Sequence, residues 1–173
     1  MTAQLIIFSG LPGTGKTTLA RPLAERLRAP LLRVDDLYGI LPAKMRAQAD
    51  PLWDELVAIL LALVECQLEV GLSVVVDSVF MGADRAVAQG LAEKYAAEFR
   101  PIYTYLSDPG IWKLRVDQRL KEAPPEDDVA TWDRIQIQQR DFWPWQSGTA
   151  LFMDGIEPFD QNWTKVLAYL NAH

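Results

Sequence analysis

Histidine and cysteine are almost missing from this sequence of 173 residues. The one histidine is His173, and the one cysteine is Cys66. Catalysis by a Ser-His-Asp or Cys-His arrangement is therefore not expected, and neither is a zinc site built from these residue types. A single cysteine also permits no disulfide within the chain, which fits a reducing cytoplasm. The chemistry has to come from carboxylates, lysine, arginine, hydroxyl groups and backbone amides.

Positive charge is in deficit, and long apolar runs are few. The chain has 17 Lys and Arg against 23 Asp and Glu, a net charge of −6, with a pI near 4.8. An acidic surface repels phosphate backbones and anionic lipids, which disfavours nucleic acid as a partner. Residues 1–10 lack the basic start of a signal peptide, and the apolar run 56–64 is too short to span a bilayer. We expect a cytoplasmic protein without a membrane partner, as a monomer or a homodimer.

Short β-rich runs alternate with helical patterns along the chain. Its length suits one domain, and 50% of its residues are apolar. The predicted strands are 4–8, 31–34, 72–79, 99–106 and 150–154. The predicted helices are 16–27, 51–70, 83–97, 109–122, 129–142 and 160–172, and residues 37–50 are irregular or in a short helix. This alternation predicts an α/β fold, with a parallel sheet covered by helices on both faces.

A loop rich in glycine separates the first predicted strand from the first predicted helix. The stretch Gly10-Leu-Pro-Gly-Thr-Gly15-Lys16-Thr17 matches the pattern G-x-x-x-x-G-K-[ST] at every position. Glycines let the backbone N–H groups of such a loop point inward at phosphate oxygens, and the helix N-terminus behind it favours anions. Lys16 adds a positive charge, and the hydroxyl of Thr17 is placed to bind Mg²⁺. The residues expected to hold the phosphates are Gly10, Pro12, Gly13, Thr14, Gly15, Lys16, Thr17 and Thr18.

Acidic residues lie at or just after the carboxyl ends of two predicted strands. Asp77 lies at the end of the third strand, where parallel sheets bind ligands, and we expect it to hold Mg²⁺ directly or through water. Asp35 and Asp36 follow the second strand at the same end of the sheet. Because no histidine is usable, Asp35 is the residue predicted to orient an acceptor hydroxyl and take its proton. The alternative role, capping the next helix, is assigned to Asp36.

Two arginines share one face of a predicted helix. Arg115 and Arg119 have the i,i+4 spacing that places side chains together. Guanidinium groups stabilise the charge on a transferring phosphoryl group, but a solvated basic face explains the spacing equally well. Arg134 and Arg140, on the next helix, are assigned to the surface, and contact with a closing lid is the alternative for either of them.

Six tryptophans are many for a chain of this length. Aromatic clusters are usually buried, so packing is the expected role of Trp53, Trp112 and Trp163. For Trp143 and Trp145, packing and an aromatic wall beside a substrate both remain open.

Taken together, these motifs resemble the small P-loop kinases related to gluconate, shikimate and nucleoside monophosphate kinases. The likeness rests on GLPGTGKTTLA, on VVVDSVF with Arg85 after it, and on DPGIWKLRVDQR at 108–119. It is strongest to a branch of predicted kinases that are often labelled AAA-family ATPases. The resemblance implies a P-loop NTPase fold in three α/β/α layers, with strand order 2-3-1-4-5. It also implies one domain over 1–173, with a small helical lid at about 115–140.

The same resemblance implies an activity and its cofactors, ATP and Mg²⁺. Arg119 would contact the ATP phosphates or adenine, Arg115 or Arg85 would meet the transferred phosphoryl group, and Asp35 would touch the acceptor. The expected catalytic residues are Lys16, Asp35, Asp77, Arg85, Arg115 and Arg119, with Thr17 and Asp77 as metal ligands. The reaction would transfer the γ-phosphate to a hydroxyl of a small molecule. A nucleotide hydrolase or ATP-binding switch without an acceptor, and a polynucleotide 5′-hydroxyl kinase, are the alternatives.

Overall fold

Five parallel strands form one sheet in the computed structural model, which describes residues 2–46, 52–123 and 130–171. The strands are β1 (Gln4–Ser9), β2 (Leu31–Arg33), β3 (Val74–Ser78), β4 (Glu98–Tyr105) and β5 (Leu151–Asp154). Their order is β2-β3-β1-β4-β5, and every neighbouring pair runs parallel. The predicted parallel sheet and the strand order implied by the resemblance are therefore confirmed.

Helices cover both faces of this sheet. They are α1 (Lys16–Leu27), α2 (Val34–Gly39), α3 (Ala43–Arg46), α4 (Trp53–Glu69), α5 (Gly82–Lys94), α6 (Pro109–Glu122), α7 (Trp132–Asp141) and α8 (Phe159–Asn171). One apolar core joins the sheet to α4 and α5, and a second joins it to α1 and α8. The three-layer architecture is thus confirmed. In the described ranges, no helix is both long and apolar enough to cross a bilayer.

The central strands send alternate side chains into the two cores. Leu5 and Ile7 of β1 face α4 and α5, whereas Ile6 and Phe8 face α1 and α8, and all four are fully buried. Burial of apolar surface stabilises the fold by roughly 25 cal/mol for each Å² removed from water. Strands buried on both faces read as continuous apolar runs, which explains why these were visible in the sequence. All five strands are parallel, so their carboxyl ends lie at one edge of the sheet, beside the glycine-rich loop.

The second strand ends earlier than its sequence pattern predicts. Arg33 is its last residue, and Val34 begins α2 and is buried against α4. Arg33 occupies the N-cap position, where no side chain caps the helix, so the capping role predicted for Asp36 is wrong. Asp35 and Asp36 instead lie in the first turn of α2, where the helix dipole favours negative charge.

Several predicted boundaries fall on residues outside the described ranges. These are the part of 37–50 beyond Arg46, the start of the helix predicted from 51, most of the stretch 123–128 between two predicted helices, and residue 129. The helices that follow each gap are observed, as α4 and α7.

Candidate active site

The three glycines of the loop between β1 and α1 share a backbone conformation but differ in their surroundings. All three have positive φ angles: 148° at Gly10, 83° at Gly13 and 97° at Gly15. A Cβ on Gly10 would lie 2.2 Å from the carbonyl oxygen of Thr104, and one on Gly13 would lie 3.1 Å from Nε1 of Trp112. A Cβ on Gly15 would meet nothing within 4 Å, so this part of the loop is open. The loop is therefore packed against β4 and α6 at Gly10 and Gly13, and it is open to a ligand at Gly15.

Lys16 folds its side chain back over this loop. Its ammonium donates to the carbonyl oxygens of Gly10 at 2.8 Å and of Leu11 at 3.1 Å. Burial lowers the pKa of Lys16, while the carboxylates of Asp77 and Asp35 raise it and so oppose the shift. A half-buried ammonium that donates to carbonyl oxygens is suited to binding an anion, because an anion replaces the hydration that burial removes.

Thr17 and Asp77 meet directly at the edge of the sheet. The Thr17 hydroxyl donates to Oδ2 of Asp77 at 2.5 Å, and Asp77 is 4% exposed at the end of β3. Hydroxyl and carboxylate oxygens are the ligands that Mg²⁺ prefers, and this metal typically takes one or two protein ligands together with phosphate oxygens and water. In the part of the chain that the structure describes, no three or more His, Cys, Asp or Glu side chains are arranged so that they could hold a metal ion by themselves. The donor set therefore fits Mg²⁺ bound together with a nucleotide.

Asp77→Asn tests the metal-binding part of this arrangement. Asparagine keeps the shape and loses the charge, so we expect the Mg²⁺ concentration needed for half-maximal ADP binding to rise by about 10- to 100-fold. Calorimetric titrations of ADP at increasing Mg²⁺ measure this shift. Asp117→Asn is the control, because Asp117 is an exposed partner of Lys113 on α6. An unchanged metal dependence in Asp77→Asn would exclude Asp77 as a ligand.

One cavity of about 870 Å³ collects most of the predicted site residues. Pro12 to Thr18 of the loop line it, whereas Gly10 lies behind them against Thr104. Sites for small ligands typically measure about 300–1,000 Å³, so this cavity is near the upper end of that range. The predicted catalytic residues that line it are Lys16, Asp35, Asp77, Arg115 and Arg119.

The arginine pair is held close to the glycine-rich loop by its own helix. Trp112 of α6 donates its Nε1–H to the carbonyl oxygen of Pro12 at 2.8 Å, and Val116 is buried against Gly13. The charge of Arg119 helps to lower the pKa of Lys16. The structure thus places both Arg115 and Arg119 at the cavity, next to the loop.

Arg85 lies outside the cavity, although the resemblance implied that it could meet the transferred phosphoryl group. Its guanidinium stacks on Trp145 at 4.7 Å and on Phe142 at 5.3 Å, and its Nε donates to the carbonyl of Phe80. Arg85 is not among the residues that line the cavity. After α7, Phe142 and Trp145 contact Tyr103 and Phe99 of β4, and this packing brings their rings to Arg85 without a local sequence signal.

The tryptophans separate into different environments. Trp112 is 6% exposed, as packing predicts, but it also contacts the glycine-rich loop. Trp53 and Trp163 are half-buried, and Trp53 also lines the cavity. Trp143 is 76% exposed, and neither Trp143 nor Trp145 lines the cavity, so they form no aromatic wall there.

The structure also adds cavity residues that the sequence pattern did not indicate. Arg33 contacts Asp77, and the signal for it was a charged residue in the otherwise apolar strand 31–34. Gly155 follows β5, and a Cβ there would lie 2.5 Å from the carbonyl oxygen of Thr14. Arg134, for which the surface and a closing lid were the two predicted places, is exposed and lines the cavity.

Solved structures with this fold include several that are described as kinases. A candidate kinase from Chloroflexus aurantiacus is 24% identical, with full coverage of both chains and a TM-score of 0.76. A gluconokinase from Sinorhizobium meliloti 1021 is 20% identical over 98% of this chain and 92% of its own, with a TM-score of 0.69. An APS kinase from Mycobacterium tuberculosis, in complex with AMPPNP and APS, is 18% identical over 99% of both chains, with a TM-score of 0.69. At these identities, the likeness establishes the fold.

The family assignment comes from the sequence itself. No curated protein matches the chain significantly. A family model described as an AAA domain matches residues 5–140, from β1 to the end of α7. The matched range contains the glycine-rich loop, Asp77 and the arginine pair. The chain therefore belongs to this AAA domain family, and it has the fold of the small P-loop kinases.

Proposed function

We propose that this protein is an ATP-dependent phosphotransferase, which moves the γ-phosphoryl group to a hydroxyl of a small molecule. The observation that carries the proposal is a single cavity with two chemically different walls. Lys16, Thr17 and Asp77 form a wall suited to phosphates and metal, and Asp35 stands on the wall formed by α2. A nucleotide on the first wall would leave the other free for an acceptor.

Binding and charge stabilisation would come from groups that are already in place. The loop N–H groups and Lys16 would hold the phosphates, and Thr17 and Asp77 would hold Mg²⁺. When bound, Mg²⁺ neutralises negative charge on the β- and γ-phosphates. Arg115 and Arg119 would stabilise the charge that spreads over the transferring group, since guanidinium matches phosphate oxygens with two parallel hydrogen bonds.

The transfer itself needs one proton acceptor. The acceptor hydroxyl oxygen forms a bond to the γ-phosphorus, while the bond from that phosphorus to the β–γ bridging oxygen breaks and ADP leaves. The hydroxyl proton passes to the carboxylate of Asp35, whose side chain is 56% exposed in the first turn of α2. Closure of residues 115–140 would exclude water, which competes as an acceptor, and this lid motion remains a prediction.

Asp35→Asn separates a kinase from a plain nucleotide hydrolase. Loss of a general base typically costs about 10²- to 10⁴-fold, so phosphoryl transfer should fall by that factor while MgATP binding is kept. The measurement is mass-spectrometric detection of phosphorylated product in a screen of sugars, nucleosides, and aminoglycoside- or phenicol-like antibiotics. An oligonucleotide with a free 5′-hydroxyl is included in the screen, to test the polynucleotide kinase alternative.

Asp117→Asn again serves as the control, because it removes a carboxylate from the surface of α6. ATP hydrolysis that no small molecule stimulates, with the same rate in Asp35→Asn, would favour the hydrolase and overturn the proposal.

A further inference from the structure

Arg33 connects the two walls of the cavity. It is the last residue of β2, and its Cα is paired with that of Asp77 on β3. Nε donates to Asp77 at 3.3 Å, Nη1 to Asp36 at 2.9 Å and Nη2 to Asp35 at 3.3 Å. One guanidinium therefore touches the carboxylate proposed to hold the metal and the carboxylate proposed to receive the proton.

This geometry is specific to arginine. The guanidinium is planar and carries its N–H donors in a fixed fork, and here three different nitrogens serve three carboxylates. A lysine ammonium is a single nitrogen on a flexible stem, and it cannot reproduce contacts spread over the whole fork. Lysine at position 33 would therefore keep the charge and lose the fork, which separates the effect of charge from the effect of shape on the three contacts.

The three contacts differ in burial. The Asp77 side chain is 3% exposed, whereas those of Asp35 and Asp36 are 56% and 63% exposed. Exposed ion pairs typically contribute less than about 1 kcal/mol to stability. The contacts to α2 are therefore weak as stabilising interactions, yet they fix the direction of two carboxylates that face the cavity. On the other side, Arg33 shares Oδ2 of Asp77 with the hydroxyl of Thr17.

We propose that Arg33 is a positioning residue, which holds the Asp35 carboxylate at a fixed place relative to Asp77 and Thr17. The inference rests on the proposed function, because this relative position matters only if a phosphoryl group moves between the two walls. A misplacement of about 1 Å between reacting groups can cost roughly 10²-fold in rate. Arg33 itself would touch neither the phosphates nor the acceptor.

Arg33→Met and Arg33→Lys test the proposal in the full chain. The measurements are kcat and KM for ATP hydrolysis with water as the acceptor, and calorimetry with MgADP. We expect kcat to fall by about tenfold or more in both variants, since each leaves Asp35 without its anchor. KM for ATP and the Kd for MgADP should stay within about threefold of the wild type, because the loop that would grip the phosphates is unchanged.

Arg100→Met is a matched control for loss of a half-buried strand arginine. The Arg100 side chain is 16% exposed, against 13% for Arg33, and it pairs with Glu98 at 2.9 Å near the amino end of β4. It lies away from the carboxyl edge of the sheet, where the cavity is. This variant should lose thermal stability without losing kcat.

The possible outcomes lead to different conclusions. A wild-type kcat in Arg33→Lys, or a fall in Arg33→Met no larger than in Arg100→Met, would overturn the inference and leave the proposed function intact. A wild-type protein that neither binds MgADP nor hydrolyses ATP would instead refute the proposed function, and the inference with it. A loss of kcat in both Arg33 variants, at unchanged MgADP affinity, is the result that supports the positioning role.

Discussion

Replacement of Lys16 by alanine is expected to reduce nucleotide turnover by about a hundred- to a thousand-fold, the typical loss when one donor to a developing negative charge is removed. The Lys16 ammonium already lies over the glycine-rich loop, held by the carbonyls of Gly10 and Leu11. Because it is half-buried, it would meet a phosphate where less water screens the attraction than at an exposed surface. Steady-state ATP turnover with saturating Mg²⁺ measures the effect.

Lys94→Ala is the appropriate control for the Lys16 variant. Lys94 ends α5 and pairs with Glu65 on the surface at 2.6 Å, with 59% of its side chain exposed. Its removal also deletes a lysine from an ion pair, but far from the loop, so turnover should remain at the wild-type level. Wild-type turnover in Lys16→Ala would mean that nucleotide is bound elsewhere, and the site assignment would then be wrong.

Gly10→Ala is expected to disrupt the loop itself rather than a contact with ligand. The new Cβ would stand 2.2 Å from the carbonyl oxygen of Thr104 and 2.7 Å from its Oγ1, on a residue with φ of 148°. Neither the backbone of β4 nor that of β1 can move away without breaking sheet hydrogen bonds. Overpacking and backbone strain each typically cost about 1–3 kcal/mol, so we expect a loss of at least about 2 kcal/mol. Urea denaturation measures the free energy of unfolding, and MgADP calorimetry should detect no binding.

Gly90→Ala is the control for the general effect of replacing a glycine by alanine. Gly90 lies in the middle of α5, and a Cβ there would meet nothing within 4 Å. Alanine is a better helix former than glycine by about 1 kcal/mol, so this variant should be slightly more stable than the wild type. A Gly10→Ala protein with normal stability and normal MgADP affinity would contradict the close packing of the loop on β4.

The parts of the site that could be predicted are those in which neighbours in sequence are neighbours in space. The loop from Gly10 to Thr17 is continuous in sequence, so no long-range contact is needed to bring its glycines, lysine and threonine together. Asp77 was predictable for a related reason. It is the residue before the last in a strand buried on both faces, and parallel strands present their carboxyl ends at a common edge.

Other features depended on contacts between distant segments. Arg85 was expected at the cavity, yet its guanidinium stacks on Trp145 and Phe142 instead. These two residues lie 60 and 57 positions further along the chain. Trp112 was expected only to pack, and it donates to Pro12 across a separation of 100 residues. Such pairings depend on where two surfaces meet, which no local pattern encodes.

By itself, the sequence determined the glycine-rich loop, the parallel sheet and the acidic residue beside it, because periodicity and motif spacing act over a few residues. The tertiary structure decided which charges meet. It placed Arg33 between Asp77 and Asp35, brought the Arg115 and Arg119 pair to the cavity, and kept Arg85 away from it. The physical reason is that a side chain's partners are fixed by packing between elements far apart in sequence, and the ionic groups at the cavity are arranged by that packing.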